Sequence, residues 1–392
     1  MNTTFIPVSQ PSITEEDIAL VADAVRSGWV SSLGEYITRF EEEFARFCGS
    51  SYALTVSNGT AALHLALAAL DTGPGDEVIV PDFTFVATAN AVTYTGAQPV
   101  FVDIDAETLC IDPASMERAI TKRTKAVIAV HLYGHPAAMD DILSVAREKN
   151  LHVIEDAAEA HGARINGKRV GSLGTFGTFS FYGNKIITTG EGGMLTTDCP
   201  RLYGRAKELR DHAMSPDKRY WHTCVGYNYR MTNIQAALGV AQLSRIEQVL
   251  FRRSQIFSRY RERLSGLSPL TINRTAPWAE NSYWAVNIEN LLWDEPERNA
   301  VMARLKERGV DSRPYFYPVS DMPPYRHIVC DTPVAHRISP CGITLPSFSA
   351  MTDDQIDAVC TALRDSIARE ETSAYEHRNQ LPEYGSGLCW RS

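Results

Sequence analysis

The chain has 392 residues, 44% hydrophobic and 22% charged, which suits a soluble globular protein of two domains better than one compact core. Its net charge of −9, with no clustered Lys and Arg, speaks against nucleic acid as a partner. The longest apolar stretch, Ala61 to Leu70, is too short to span a bilayer; the start lacks a basic region followed by an apolar run; and the eight cysteines show no CxxC pair or zinc-type spacing, so a reduced, cytoplasmic protein without a metal site is expected.

From about residue 50 to about 200, short β-rich runs alternate with helical ones. Predicted strands cover Tyr52–Ser57, Glu77–Pro81, Pro99–Ile104, Ala126–Leu132, His152–Asp156, Gly177–Phe181 and Gly193–Thr197. Helical segments such as Thr60–Leu70 and Ala138–Lys149 lie between them. The alternation predicts an α/β domain built on a mostly parallel sheet covered on both faces.

Four places along this domain could carry chemistry. Val56-Ser-Asn-Gly59-Thr60-Ala61 joins the first strand to a helix, and helix-terminal N–H groups with the helix dipole form an anion cup there. It contains neither GxGxxG nor Gly-Lys-Ser/Thr, and a plain strand–turn–helix joint reads equally well. In Pro81-Asp-Phe-Thr-Phe85 an aromatic follows a strand, placed to stack on a flat ring or simply to fill the core. Val153-Ile-Glu-Asp156-Ala-Ala-Glu159-Ala-His161 puts an acid at the carboxyl end of a strand, the edge where open α/β sheets bind ligands. Asp156 could pair with a protonated ring nitrogen or merely cap a helix. His161 reads as a core histidine that positions its neighbours. Phe181-Tyr-Gly-Asn-Lys185-Ile-Ile-Thr-Thr-Gly-Glu-Gly-Gly193 places a lysine in a polar turn beside glycines. Such an amine is a nucleophile only when neutral, and alone Lys185 is as readily a solvated loop residue. Together the four supply a phosphate cup, a stacking aromatic, an acid and an amine at the strand ends of one domain.

Beyond this region Thr232-Asn-Ile-Gln235 forms a capping box that predicts a helix to about Val249, with another over Arg252–Leu264. Ser282–Glu289 reads as a strand, Glu295–Arg308 as a helix and Gly342–Leu345 as a strand. Thr352-Asp-Asp-Gln355 is a second capping box, opening a helix to about Arg369. The expected division is a large α/β domain over residues 1–250, a smaller α+β domain over 251–370 and a polar tail over 371–392.

With these motifs the sequence resembles the sugar aminotransferases of the DegT/DnrJ/EryC1/StrS family, within the aspartate-aminotransferase-like (fold type I) pyridoxal-5′-phosphate (PLP) enzymes. The resemblance runs from Gly28-Trp-Val-Ser-Ser32 to about residue 367. Phe181-Tyr-Gly-Asn-Lys185 through Met194, and Arg313-Pro-Tyr-Phe-Tyr-Pro318 followed by Met322-Pro-Pro-Tyr325, look most like the branch that aminates GDP-4-keto-6-deoxy-D-mannose at C4.

The resemblance implies that Lys185 is the Schiff-base lysine and that Asp156 meets the pyridine nitrogen. Glu159 would lie near the ring hydroxyl, Phe85 would stack on the ring, and Gly59, Thr60, Ala61 and Ser180 would hold the phosphate. Asn228 would reach the phosphate of a neighbouring subunit, making a homodimer with shared active sites. Arg313 and Tyr317 would lie near the nucleotide-sugar site. L-Glutamate is the implied amino donor, and O-antigen or another surface glycan the destination of the product. UDP- and dTDP-linked keto-sugars stay open as substrates. A sister branch of sugar dehydratases carries His where Lys185 stands, which argues against dehydration. Relatives often have a His soon after Tyr317-Pro318; here the run continues Val319-Ser320.

Overall fold

A computed structural model describes residues 5–379 of the chain. The main sheet is built from β1 (Tyr52–Val56), β2 (Glu77–Pro81), β3 (Gln98–Val102), β4 (Thr124–Val130) and β5 (His152–Asp156). A small hairpin of β6 (Arg164–Ile165) and β7 (Lys168–Arg169) intervenes before β8 (Phe176–Ser180) and β9 (Gly193–Thr197) complete it. The seven strands lie in the order β1-β9-β8-β5-β4-β2-β3. β9 is antiparallel to both neighbours, and all other pairs are parallel. Helices must cover both faces of such a sheet, so its strands read as unbroken apolar runs. β2 and β8 are accordingly buried at every position. Each predicted strand of this sheet agrees with the observed one to within about two residues at either end.

A second, antiparallel sheet contains β10 (Thr271–Ile272), β12 (Val286–Glu289), β13 (Arg313–Pro314) and β14 (Gly342–Leu345), in the order β10-β12-β14-β13, while β11 (Ala279–Glu280) joins the β6–β7 hairpin. The strand expected from Ser282 starts only at Val286. Tyr283 turns the backbone left-handed at φ +50, and Ser282 N–H is tied to the Gly134 carbonyl at 3.1 Å.

Three helix boundaries differ from expectation. The Thr232 capping box forms as predicted, but its helix ends at Ser244 instead of about Val249. Arg245 leaves helical geometry where its guanidinium reaches back to Asp17, at 2.7 Å. A single helix, Ile246–Leu264, then replaces the one expected from Arg252. The last helix runs through Asn379, across the start of the expected tail. No Pro or Gly interrupts the chain there before Pro382, and Ala, Arg and Glu favour helix. The rest of that tail lies outside the described residues.

Two apolar cores form among the described residues. The first lies between the main sheet and its helices and includes Tyr315, Val319, Tyr325 and Ile338 from late in the chain. Buried carboxylates hold that late segment down. Asp82 accepts from Ser320 N–H at 2.8 Å, from the Ser320 hydroxyl at 2.7 Å and from the Thr332 hydroxyl at 2.6 Å. Asp103 accepts from the N–H groups of Val334 and Ala335 at 3.0 and 2.9 Å. The second core joins Ile256, Tyr260, Val286, Ile288, Leu305, Ile343 and Leu363 with Ile6. Ile6 N–H donates to the Gly309 carbonyl at 2.8 Å, and Asp311 N–H returns to the Ile6 carbonyl at 2.9 Å.

Candidate active site

The carboxyl ends of β1, β2, β4, β5 and β8 open into one cavity of about 1090 Å³, closed on its far side by Trp284 and by Arg313–Tyr317. Gly59, Thr60, Ala61, Phe85, Asp156, Glu159, Ser180, Lys185, Arg313 and Tyr317 all line it. Asn228 is exposed outside it, where its backbone pairs with Asp211.

The anion cup starts with Asn58, which caps the helix Gly59–Ala69 by accepting from the Ala61 N–H at 2.8 Å. That N–H, expected to join the cup, is therefore already engaged. The N–H groups of Gly59 and Thr60 belong to the first turn, where the helix has no carbonyl to offer them. Gly59 packs directly on Ser180: a Cβ built on Gly59 would stand 2.8 Å from the Ser180 Cβ. Of the glycines after Lys185, Gly193 belongs to β9. A Cβ on Gly193 would lie 2.6 Å from the backbone of Asn58.

At the floor, Asp156 is buried at the end of β5. One oxygen accepts from the Thr88 hydroxyl at 2.9 Å and the other from the Ala158 N–H at 3.3 Å. Burial pushes this carboxyl above its ordinary value, opposed by both donors and by the charge of Lys185. Glu159, also buried, accepts from the Tyr133 N–H at 3.1 Å and lies 3.6 Å from the Lys185 Nζ. Burial raises it too, and the Lys185 charge is the strongest opposing cause. Lys185 holds its Nζ between that carboxylate and the face of Trp284, 4.3 Å from the ring centroid. Trp284 is fixed in turn by its indole N–H, which donates to the Asn184 carbonyl at 2.8 Å.

The upper wall carries Phe85, an apolar ring left 57% exposed, 6.0 Å from Phe316. The Tyr317 hydroxyl donates to Glu295 at 2.9 Å and accepts from Arg298 at 3.3 Å, so it turns its ring to the cavity with its polar end engaged. The Arg313 guanidinium is 66% exposed and only loosely near Asp311, at 4.0 Å. Ser320, in the run after Tyr317-Pro318, is committed to Asp82 and does not line the cavity. His161 is fully buried against Phe179 and Phe181, and burial lowers it to about 3. It packs as a neutral ring in the core, where it is expected.

Sequence reasoning did not assign roles to Thr88 and Trp284. Thr88 stands one helical turn beyond Phe85 and faces Asp156 only once β2 and β5 are placed. Trp284 sits in a stretch that reads as a strand, with no local signal. An anion cup, an exposed flat ring, a buried acid with its own donors and an amine beside a second acid form a donor set that fits a phosphorylated pyridine aldehyde.

The sequence model of the DegT/DnrJ/EryC1/StrS aminotransferase family matches residues 11–364. The chain is 46% identical over 360 residues to GDP-perosamine synthase of Caulobacter vibrioides, covering 91% of this chain and 97% of that protein. It is 43% identical over 361 residues to GDP-perosamine synthase of Escherichia coli O157:H7, with 92% and 98% covered. Among solved structures, a putative sugar aminotransferase of Streptococcus pneumoniae superposes with a TM-score of 0.91 at 30% identity, covering 95% of this chain and 100% of that one.

Proposed function

The chain belongs to the DegT/DnrJ/EryC1/StrS aminotransferase family, and from that membership we propose that it moves an amino group from L-glutamate to C4 of GDP-4-keto-6-deoxy-D-mannose, giving GDP-perosamine. It is a PLP-dependent sugar aminotransferase with the fold type I architecture. The observation that carries the substrate reading is the 43–46% identity, over nearly the whole chain, to proteins named GDP-perosamine synthase.

When bound, PLP supplies an aldehyde that takes up an amine and a cationic ring that accepts the electron pair released at the neighbouring carbon. Lys185 would hold the cofactor through that aldehyde. Its Nζ, which lies between Glu159 and Trp284, would carry a proton at the reacting carbon. Asp156 would keep the ring nitrogen protonated, and Thr88 orients Asp156 through its 2.9 Å hydrogen bond. Glu159 would stand near the ring hydroxyl and Phe85 against the ring face. Gly59, Thr60 and the Ser180 hydroxyl would receive the phosphate, with Ala61 behind them in the same turn. Arg313 would face the diphosphate, for which a guanidinium is well shaped, and Tyr317 would flank the nucleotide-sugar.

The proposal includes a homodimer in which Asn228 crosses to the partner's phosphate. Asn228 is exposed and does not line its own cavity, and the side chains of Trp29, Leu33, Tyr220 and Trp221 are left more than half exposed. We propose further that the enzyme works in the cytoplasm and that its product enters O-antigen or another surface glycan. Among the described residues, no helix is long and apolar enough to cross a membrane.

The test is an absorbance spectrum of purified protein before and after L-glutamate. Wild type is expected to show the band of bound PLP and convert it to the pyridoxamine form; Lys185→Ala is expected to make no such conversion. GDP-4-keto-6-deoxymannose is then expected to restore the band faster than its UDP- or dTDP-linked counterparts. Absence of any cofactor band after soaking with PLP would sink the reading.

A further inference from the structure

Tyr133 joins two walls of the cavity through its two ends. It follows β4 in the run His131-Leu-Tyr133-Gly134, with its backbone in the left-handed region at φ +54. A residue with a bulky side chain keeps such a conformation only where the surroundings over-determine it. Here they do. The Tyr133 N–H donates to Glu159 at 3.1 Å, and its hydroxyl accepts from the Phe316 N–H at 3.1 Å. Its ring lies nearly parallel to those of Phe316 and Trp284, with centroids 5.2 and 6.3 Å away. Gly134 follows at φ +96, pressed so closely beneath the next segment that a Cβ would meet the Trp284 backbone nitrogen at 2.9 Å.

The two polar ends of Tyr133 therefore serve different partners. Its N–H fixes a carboxylate that faces Lys185. Its hydroxyl fixes the backbone of Phe316, between Arg313 and Tyr317. We propose that Tyr133 is a positioning residue that sets the Arg313–Tyr317 segment against the Lys185–Glu159 centre, and that its hydroxyl serves the nucleotide-sugar half of the reaction and not the amino-donor half. The inference rests on the aminotransferase reading given above. A small amino acid needs only the centre, whereas a nucleotide-sugar must also reach the far wall.

The variant to make is Tyr133→Phe, which keeps the ring and the backbone N–H and removes one acceptor. In the cofactor-free protein, hydrogen exchange of the Phe316 amide is expected to speed up roughly tenfold, while the Tyr133 amide is unchanged. In the loaded enzyme, KM for the nucleotide-linked keto-sugar is expected to rise roughly tenfold with little change in kcat. The single-turnover rate with L-glutamate is expected to stay within about twofold of wild type. Unchanged Phe316 exchange together with unchanged KM would overturn the proposal. So would an equal fall in both half-reactions, which marks a general structural loss. If wild type accepts the amino donor but no nucleotide-linked keto-sugar, the substrate reading fails, and the Phe316 exchange then decides the positioning claim alone.

Discussion

A carboxylate buried as deeply as Asp156 loses hydration that two hydrogen bonds replace only in part. Burial accordingly raises its carboxyl in the cofactor-free protein. The native state then binds more protons than the unfolded chain as pH rises through that window, so stability falls as Asp156 ionises. Asp156→Asn removes the charge. Without cofactor it is expected to melt about 2 °C above wild type at pH 7, and the gap is expected to close as pH falls below the raised value. Equal melting at both pH values would show that the buried charge has no such cost. With PLP the same substitution is expected to slow the glutamate half-reaction by about a hundredfold or more in single-turnover spectra, because an amide cannot hold a cationic ring nitrogen as a carboxylate does. Asp156 itself was legible from its place at the end of an apolar run. Its partner Thr88 was not, since 68 residues separate them and only the parallel pairing of strands brings them together.

At the scale of elements, what matters most is how tightly the first strand–helix joint is built. Gly59 touches the last residue of β8, so the turn that offers N–H groups to an anion is also a packing contact between the helix after β1 and the end of β8. Gly59→Ala must push Ser180 aside to fit its methyl. It is expected to weaken cofactor affinity roughly tenfold and to destabilise the protein by about 1–3 kcal/mol, read from PLP titration and from denaturant unfolding. An unchanged PLP affinity would mean that the phosphate lies elsewhere. The main-sheet strands were readable because a doubly covered sheet writes its burial directly into sequence. Boundaries set by single distant contacts were not. Arg245 breaks a helix because Asp17 lies across from it, and Tyr283 delays β12 because Gly134 lies beneath it. Nothing within either local window announces these partners.

At the scale of the whole molecule, the place of Asn228 makes a prediction about pairs of chains. If it completes the partner's phosphate site, Lys185→Ala and Asn228→Asp are each expected to be inactive alone. Mixed and reassociated, they are expected to recover about a quarter of wild-type activity, because half the dimers are mixed and each holds one intact site. No recovery after verified exchange of subunits would place each site wholly within one chain. The fold class came readily from the sequence, since alternating β and α runs admit few topologies. The homodimer rests on the family resemblance alone, because exposure of Trp29 or Trp221 is a property of the folded surface and leaves no periodicity to read.

The second core carries a consequence for biosynthesis. Ile6 is held by Gly309 and Asp311, so the first residue of that core along the chain meets partners made about 300 residues later. At about 5–20 residues per second a ribosome needs on the order of 15–60 s to deliver them. During that interval the strand-rich first 200 residues can collapse on their own core while Ile6 waits outside it, apolar and unpaired. A nascent chain arrested before residue 305 is therefore expected to be a better client for a chaperone than the released protein, because the main sheet can assemble before the partners of Ile6 exist.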